Sequence, residues 1–255
     1  MRIEDICFNA IVTPDVVFSK KELLSSFRSS GYTKSESSFL AYFQELIRNS
    51  RIQRIGRNAY RVANSNLKIY EYSYSSQSNA VATAIKKEHP YLDFSIFEMI
   101  QLNEFVSHQI GRNTIFVFVD ADVIDYVFDS LRTNYSTNIL LHPSIDDYHR
   151  YKTDDTIVLC RRISESPVGH APEWSTCIEK LLVDIVADQL IASSYGDSET
   201  PRIYEGAFEK YVIDESKLFR YARRRNAADK ITTLISEETN IKLHVLQENS
   251  NENSL

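Results

Sequence analysis

The chain has 255 residues, of which 43% are hydrophobic and 25% charged, which is typical of a globular protein long enough for two domains. Its formal net charge of −6 excludes a uniformly basic, nucleic-acid-coating protein. Three scattered cysteines, Cys7, Cys160 and Cys177, exclude a disulfide framework and a Cys-x-x-Cys metal site. The sequence shows neither a signal-peptide pattern nor an apolar run of membrane-spanning length, so we expect a cytoplasmic protein without membrane contact.

The amino-terminal part predicts three helices. The first is indicated by apolar residues at helical spacing: Ile3, Ile6, Cys7, Ala10 and Ile11. The next two begin at capping boxes, Ser19 with Glu22 and Thr33 with Glu36, in which a hydroxyl and a carboxylate accept hydrogen bonds from backbone N–H groups. Between them Gly31 supplies the left-handed residue that ends the second helix. This order predicts a helix-turn-helix.

The helix predicted over residues 34–48 has an apolar face and an opposite face of small and polar residues. Small side chains let such a helix lie deep in the major groove of DNA, where side chains must approach base edges. We therefore predict DNA contacts from this helix by Lys34, Ser35, Ser37, Ser38, Ala41 and Tyr42.

Residues 51–62 predict a β-hairpin, or wing, in which arginines flank apolar residues and the turn places Gly56 and Asn58 at positive φ. The predicted contacts of the hairpin with phosphates or a minor groove are made by Arg54, Arg57, Asn58 and Arg61. Residues 1–65 carry ten Lys and Arg against six Asp and Glu, a net charge of +4, whereas the remainder carries −10. We call residues 1–65 the head. Its positive charge indicates a protein that binds DNA through this domain alone; the alternative is a small domain whose basic hairpin is merely solvated.

Beyond the head, strands and helices alternate. Thr114–Val119 is apolar throughout, as in a central strand covered on both faces. Further strands are expected over 95–97, 138–141 and 156–160 and a helix over 98–107, and from Trp174 onward the pattern is helical. The predicted fold class is α+β. It has a winged helix-turn-helix domain over 1–65, an α/β domain with a helical C-terminal part over 66–246, and a disordered tail over 247–255.

The chemistry-bearing residues outside the head give no catalytic signature. Asp120 and Asp122 resemble the acidic pair with which nucleotidyltransferases hold magnesium, but no Gly-Ser turn precedes them, and we interpret them as a helix cap and a first-turn acid. Asp214 precedes a Glu-x-Lys of the nuclease type, but it is predicted to cap a helix. Six histidines without paired spacing and six glycines without a phosphate-loop pattern predict no zinc site and no nucleotide fingerprint. We therefore predict no enzyme, no metal and no cofactor.

One basic cluster interrupts the acidic part, formed by Arg220, Arg223, Arg224 and Arg225. Cations in the last turn of a helix are favoured by the helix dipole, but four arginines exceed that need. Two interpretations stay open: a solvated helix end, and a surface for phosphates or an acidic partner.

Three segments carry a resemblance to a known family. They are Arg-Ile-Gly-Arg-Asn-Ala-Tyr-Arg-Val over 54–62, the segment Ile178–Asp184, and Tyr-x-x-Ala-Phe followed by Leu-x-x-Tyr-Ala-x-Arg within 204–225. The chain thereby resembles the AbiEi family of type IV antitoxins, winged-helix regulators of abortive-infection, phage-defence operons. The resemblance implies a repressor of its own operon that counters a nucleotidyltransferase-like toxin encoded beside it, without necessarily forming a stable complex. The implied partners are operator DNA, a second copy of the chain on that DNA, and the toxin.

Two further hypotheses come from other functional classes. One is a nucleic-acid-processing enzyme, a nuclease or nucleotidyltransferase, that a winged helix brings to its substrate. The other is a protein-interaction module in which the winged helix is only a scaffold. Metal binding at Asp120 and Asp122 would favour the enzyme, whereas operator binding without metal would favour the repressor.

Overall fold

The computed structural model describes residues 2–11, 16–49, 51–62, 67–135, 138–169 and 171–243, so the tail predicted over 247–255 lies outside the described residues. The fold is mixed α+β with two separate sheets. The chain forms two compact units. The first comprises Met1–Ile69, Glu209–Lys217 and Lys242–Leu255, and the second comprises Tyr70–Phe208 and Leu218–Ile241. In the described ranges no helix is long and apolar enough to cross a membrane.

The first unit contains three helices and a small antiparallel sheet. Its elements are α1 (Ile3–Ile11), β1 (Val17–Phe18), α2 (Lys20–Ser29), α3 (Glu36–Arg48), β2 (Ile52–Gly56) and β3 (Ala59–Val62). The strands lie in the order β1-β3-β2. Ser19 and Glu22 form the predicted capping box of α2, and Gly31 has a φ of 87°. At α3 the cap is Ser35 rather than Thr33, because the Ser35 hydroxyl accepts the hydrogen bond from Ser38 N, so the helix begins at Glu36 and not at residue 34.

The core of the first unit is mainly aromatic. Phe27 packs edge-on against Tyr32 and Phe39, and Phe43 packs edge-on against Tyr60 of β3. Helix α1 contributes Cys7 and Phe8, both buried, whereas Ile3 and Ile6 are exposed by 38% and 49%. Ala10 is exposed as well, so the predicted apolar face of α1 was wrong for Ile3, Ile6 and Ala10. The inward face of this helix also carries the carboxylates of Glu4 and Asp5, which have polar partners.

Polar contacts join α1 to α3 and to the start of β2. The Tyr42 hydroxyl and the Arg51 guanidinium each donate a hydrogen bond to the Asp5 carboxylate at 2.9 Å. Lys34 pairs with Glu4 at 2.7 Å and Arg2 with Glu45 at 2.6 Å. The hydrogen bond from Tyr42, supported by Arg51, holds the pKa of Asp5 below its ordinary value.

A segment from the far end of the chain completes the first unit. Lys68 N donates to the carbonyl of Lys210, and Val212 N donates to the carbonyl of Lys68, both at 2.9 Å. Arg57 N, in the turn between β2 and β3, donates to the Ser216 hydroxyl at 2.9 Å. The prediction assigned residues 209–217 to the second domain, and the structure instead groups them with the first.

The second unit is built on a four-stranded sheet of order β4-β5-β7-β6. Its strands are β4 (Phe94–Glu98), β5 (Thr114–Val119), β6 (Ile139–Leu141) and β7 (Thr156–Arg161), alternating with helices α4 (Ser76–Glu88), α5 (Ile124–Tyr135) and α6 (Ile145–Tyr151). Strand β4 is antiparallel to β5, while β7 is parallel to both β5 and β6. The helices that follow are α7 (Ile178–Ala187), α8 (Gln189–Ala192), α9 (Thr200–Lys210), α10 (Glu215–Arg224) and α11 (Ala228–Glu238).

Strand β5 lies at the centre of this sheet with all six residues buried, as its apolar sequence predicted. The helix predicted over 98–107 is instead the last residue of β4 followed by a 3-10 helix over Met99–Glu104. Glu98 is fully buried, and its carboxylate accepts hydrogen bonds from the hydroxyls of Ser75 and Ser78. These contacts with the start of α4 hold Glu98 in the strand.

A buried ion pair lies within α7. Lys180 is completely buried; its ammonium pairs with Asp184 and lies 3.5 Å from the centroid of the Phe118 ring. The other Asp184 oxygen accepts a hydrogen bond from the Tyr221 hydroxyl at 2.9 Å. Removing one partner of such a pair leaves an uncompensated charge in the core, which is costly.

We therefore predict that Asp184→Asn lowers the free energy of unfolding by about 3–5 kcal/mol, because the Lys180 ammonium loses its counter-charge. Trp174, the single tryptophan of the chain, is buried in the same unit, so its fluorescence during urea unfolding reports this loss. The matched control replaces both partners, as Lys180→Met with Asp184→Leu. It should lose less stability than Asp184→Asn, and an equal or larger loss would contradict an uncompensated charge as the cause.

A second prediction concerns Asp5. Tyr42→Phe should raise the pKa of Asp5 toward its ordinary value, measured by carbon NMR of the carboxyl group during an acid titration, because the hydrogen bond from Tyr42 to the ionised carboxylate is gone. Since the folded pKa is lowered, this contact stabilises the protein above the unfolded pKa of Asp5 and is lost as the pH falls through the folded pKa. Tyr32→Phe is the control, because the buried Tyr32 hydroxyl has no hydrogen-bond partner among the described residues. Equal pKa shifts in both variants would refute the assignment.

Candidate nucleic-acid interface

The carboxylates of the first unit are largely occupied by internal partners. Glu4, Asp5 and Glu45 pair with Lys34, Arg51 and Arg2, and the Glu22 carboxylate accepts a hydrogen bond from Ser19 N at 2.6 Å. The charges of Glu4, Asp5 and Glu45 are therefore balanced within the first unit, and other cations remain at its surface.

Two of these cations lie on the β2–β3 hairpin. Arg54 and Arg57 are exposed, and neither has a carboxylate within ion-pair distance in the part of the chain that the structure describes. Arg54 Nε donates to the carbonyl of Gly56 at 2.9 Å, which holds the start of its guanidinium group beside the turn. The backbone bond from Arg57 to Ser216 holds the turn itself. Arg61, in β3, is only partly exposed.

Of the two residues predicted to have positive φ in the hairpin turn, only Asn58 does. Asn58 has a φ of 57°, and its side-chain oxygen accepts a hydrogen bond from Lys20 N at 3.4 Å. Gly56 is not at positive φ; it is the last residue of β2 and pairs with Ala59 across a local irregularity in register. The left-handed position therefore belongs to Asn58 alone, a residue type that tolerates it.

The outward face of α3 carries small and polar side chains. Ser37, Ala41, Gln44 and Arg48 are exposed at successive helical turns. Gln44 and Arg48 were not among the predicted contacts, although the helical period that selects Ser37 and Ala41 also selects them. At the start of the helix the Ser35 hydroxyl lies 2.8 Å from that of Ser37 and 2.9 Å from that of Ser38. Backbone N–H groups and hydroxyls at a helix start are suited to bind phosphate.

Two of the residues predicted to contact DNA, Tyr42 and Lys34, are bonded to carboxylates of α1 instead. Tyr42 is 5% exposed, with its hydroxyl bonded to Asp5, so the prediction that it reaches DNA was wrong. It lies one residue past Ala41 and thus on the side that packs against α1. Lys34 precedes the helix and pairs with Glu4, although half of its side chain stays exposed.

Of the acidic pair after β5, Asp120 is bound by an arginine and Asp122 is exposed. Both Asp120 oxygens accept hydrogen bonds from Arg162, at 2.8 and 2.9 Å, and this pairing lowers the pKa of Asp120. The interpretation of the Asp120 side chain as a helix cap was wrong, because it turns to Arg162 and α5 begins only at Ile124. Asp214, in contrast, does cap α10, accepting from Lys217 N at 2.9 Å. Among the described residues no group of three or more His, Cys, Asp or Glu is arranged to hold a metal ion.

The arginine cluster is divided by its contacts. Arg225 is largely buried and pairs with Asp188 at 3.2 Å, so it does not belong to a surface. Arg224 pairs with Glu165. Arg220 and Arg223 are exposed on α10, which leaves two of the four predicted surface cations facing solvent without an ion pair to any described residue.

Comparisons with known proteins place the chain in a family without supplying an activity. No curated protein matches it. The crystal structure of the RV2827C protein from Mycobacterium tuberculosis is similar at 10% sequence identity, covering 94% of this chain and 81% of that chain, with a TM-score of 0.27, which is too low to establish a common fold. The model of a family of unknown function, DUF6577, matches residues 38–241, and the chain therefore belongs to that family.

Proposed function

We propose that this protein is a winged-helix DNA-binding repressor of its own operon and the antitoxin of a nucleotidyltransferase-like toxin encoded beside it. The observation that carries the DNA-binding part is the charge arrangement of the first unit. Three of its carboxylates, Glu4, Asp5 and Glu45, are paired internally, while Arg54 and Arg57 remain exposed on the hairpin without such partners in the described ranges. An exposed cationic hairpin is suited to phosphate contacts.

The order of elements supports the same proposal. A helix, a short strand, two helices and a hairpin follow one another, and the short strand β1 pairs with β3 of the hairpin. This is the arrangement expected of a winged helix, in which α3 would be the recognition helix and the β2–β3 hairpin the wing.

The side chains suggest a division of roles. Ser37, Ala41 and Gln44, on the outward face of α3, would meet base edges, where small and amide side chains discriminate sequence. Arg54 and Arg57, together with the start of α3 at Ser35, would meet phosphates and position the protein on the duplex. A second copy bound to the same operator would double these contacts.

The antitoxin part rests on the resemblance to AbiEi proteins at 54–62, Ile178–Asp184 and 204–225. In the structure these segments contain the hairpin, most of α7, and parts of α9 and α10. Many of their residues are buried, including Leu181, Tyr204 and Tyr221. The shared motifs therefore concern the packing of the core and identify no contact surface. The toxin is therefore proposed as a functional partner, with no contact surface assigned.

The DNA-binding proposal predicts different effects for two variants of the full chain. Arg57→Ala should weaken a selected duplex and a scrambled duplex about equally, and should reduce the slope of log K against log salt by about 0.9, the value for one phosphate contact. Ala41→Leu should weaken the selected duplex much more than the scrambled one, because a larger side chain blocks the approach to base edges. Fluorescence anisotropy at several salt concentrations measures both quantities, with a duplex selected from a random library.

Two control variants make the same kinds of change, loss of a cation and gain of a leucine, outside the proposed interface. Lys87→Ala removes a cation from the exposed side of α4, and Ser25→Leu adds a leucine to the exposed side of α2. Neither should alter DNA affinity by more than twofold. DNA binding that is absent at low salt, or that does not weaken with salt, would reject the proposal. A change in sequence preference from Arg57→Ala alone would assign base reading to the hairpin instead.

The antitoxin part predicts that co-expression of this chain restores growth to cells arrested by the adjoining reading frame. Arg57→Ala should retain this rescue while losing repression of a reporter fused to the operon promoter, because the two activities are proposed to be separate. The measurement is colony growth beside reporter output from the same strains. A neighbouring gene that never arrests growth, or rescue that fails with the intact chain, would contradict the antitoxin role and leave DNA binding to be judged by its own test.

A further inference from the structure

Two adjoining cavities in the second unit share part of their lining. Ile110, Arg112, Lys152 and Ser194 border both, one of about 430 Å³ and the other of about 30 Å³. The larger volume falls within the usual range for small-molecule pockets. The smaller one is a recess bordered by Thr114, at the start of β5, and by Tyr148 of α6.

The shared wall carries two positive charges. Arg112 is exposed and Lys152 is half-buried, and among the described side chains neither has a carboxylate within ion-pair distance. Lys152 is held in place because its backbone N–H donates to the Tyr148 carbonyl at 2.9 Å and its ammonium lies 4.9 Å from the centroid of the Tyr148 ring. Burial, with a further contribution from the charge of Arg112, lowers the pKa of Lys152. Two positive charges that line one cavity favour the binding of an anion between them.

Several other polar groups of the lining already have partners. The Tyr148 hydroxyl lies 2.9 Å from the hydroxyls of both Thr114 and Ser194, and Ser194 also donates to the carbonyl of Leu190. Glu199 borders only the larger cavity. Its carboxylate accepts a hydrogen bond from Ser107 N at 2.9 Å and lies 3.6 Å from His108 Nδ1. Arg112 and Lys152 are therefore the groups of this lining best suited to bind an anion.

We propose that this pocket binds a small molecule bearing a phosphate monoester, with the phosphate between Arg112 and Lys152. A dianionic phosphate matches two cations in charge, and the planar fork of arginine can bind two of its oxygens while lysine supplies a point charge. The larger cavity has room for the organic group attached to the phosphate, beside Tyr195 and the Glu199 carboxylate. This binding site is independent of the DNA contacts proposed for the first unit.

The test is isothermal titration calorimetry on the full chain with three phosphate compounds, AMP, ribose 5-phosphate and inorganic phosphate, and with adenosine as the uncharged probe. At least one monoester should bind saturably with one site per chain, inorganic phosphate should compete with it, and adenosine should not bind. Arg112→Met and Lys152→Met should each weaken that binding at least tenfold, because each removes a charge-assisted hydrogen bond to the phosphate. Arg112 is exposed, so Arg112→Met keeps the test valid if Lys152→Met fails to fold.

The matched control is the double variant Lys86→Met with Lys87→Met, which removes two cations from α4 of the same unit. It should bind like the unaltered chain, which separates a local site from the effect of net charge. The proposal is overturned if no phosphate compound binds saturably at millimolar concentration, if adenosine binds as tightly as AMP, or if Arg112→Met binds the monoester normally. It is also overturned if duplex DNA competes with the monoester and loses affinity in Arg112→Met, because these cations would then serve nucleic acid.

Discussion

The Asp5 carboxylate is the contact on which the first unit depends most. It accepts hydrogen bonds from Tyr42 of α3 and from Arg51, just before β2, so one side chain of α1 joins the helices to the sheet. Glu4 and Glu45 add ion pairs with Lys34 and Arg2, the residues just before α3 and α1. These contacts stabilise the packing, and they also neutralise three acidic groups of the first unit. The exposed cations of the hairpin, Arg54 and Arg57, have no such partners among the described residues, which is the property that the proposed DNA contacts require.

The second unit uses buried polar groups differently. Strand β5 supplies an apolar centre, while Glu98 and the Lys180–Asp184 pair lie buried with their charges satisfied by hydrogen bonds and ion pairs. Buried charges are tolerated only with such partners. Arg112 and Lys152 differ, because they line a cavity and neither has an ion pair with a described residue. Because Lys180 has a counter-charge while Arg112 and Lys152 have none in the described part of the chain, we interpret the cavity, and not the buried pair, as a binding site.

The sequence by itself determined the features that depend on neighbouring residues. The capping box at Ser19, the left-handed Gly31 and Asn58, and the buried strand Thr114–Val119 all follow from local backbone chemistry or from periodicity. The α+β class and two sheets also follow from the pattern of elements. Most elements therefore lie close to their predicted positions, and of the predicted contact residues Ser37, Ala41, Arg54 and Arg57 are exposed as the DNA hypothesis requires.

Only the tertiary structure decided which side chains remain available at the surface. Tyr42 and Arg225 have polar groups suited to binding, yet Asp5 and Asp188 occupy them. Asp120 follows a strand as a magnesium ligand would, but Arg162, which lies beyond the next two strands in the sequence, binds both of its oxygens. The backbone N–H of Arg57 donates its hydrogen bond to the hydroxyl of Ser216, which is 159 residues away. These pairings join residues distant along the chain, and neither helical period nor local propensity carries information about them, so the sequence alone could name the candidates but not their partners.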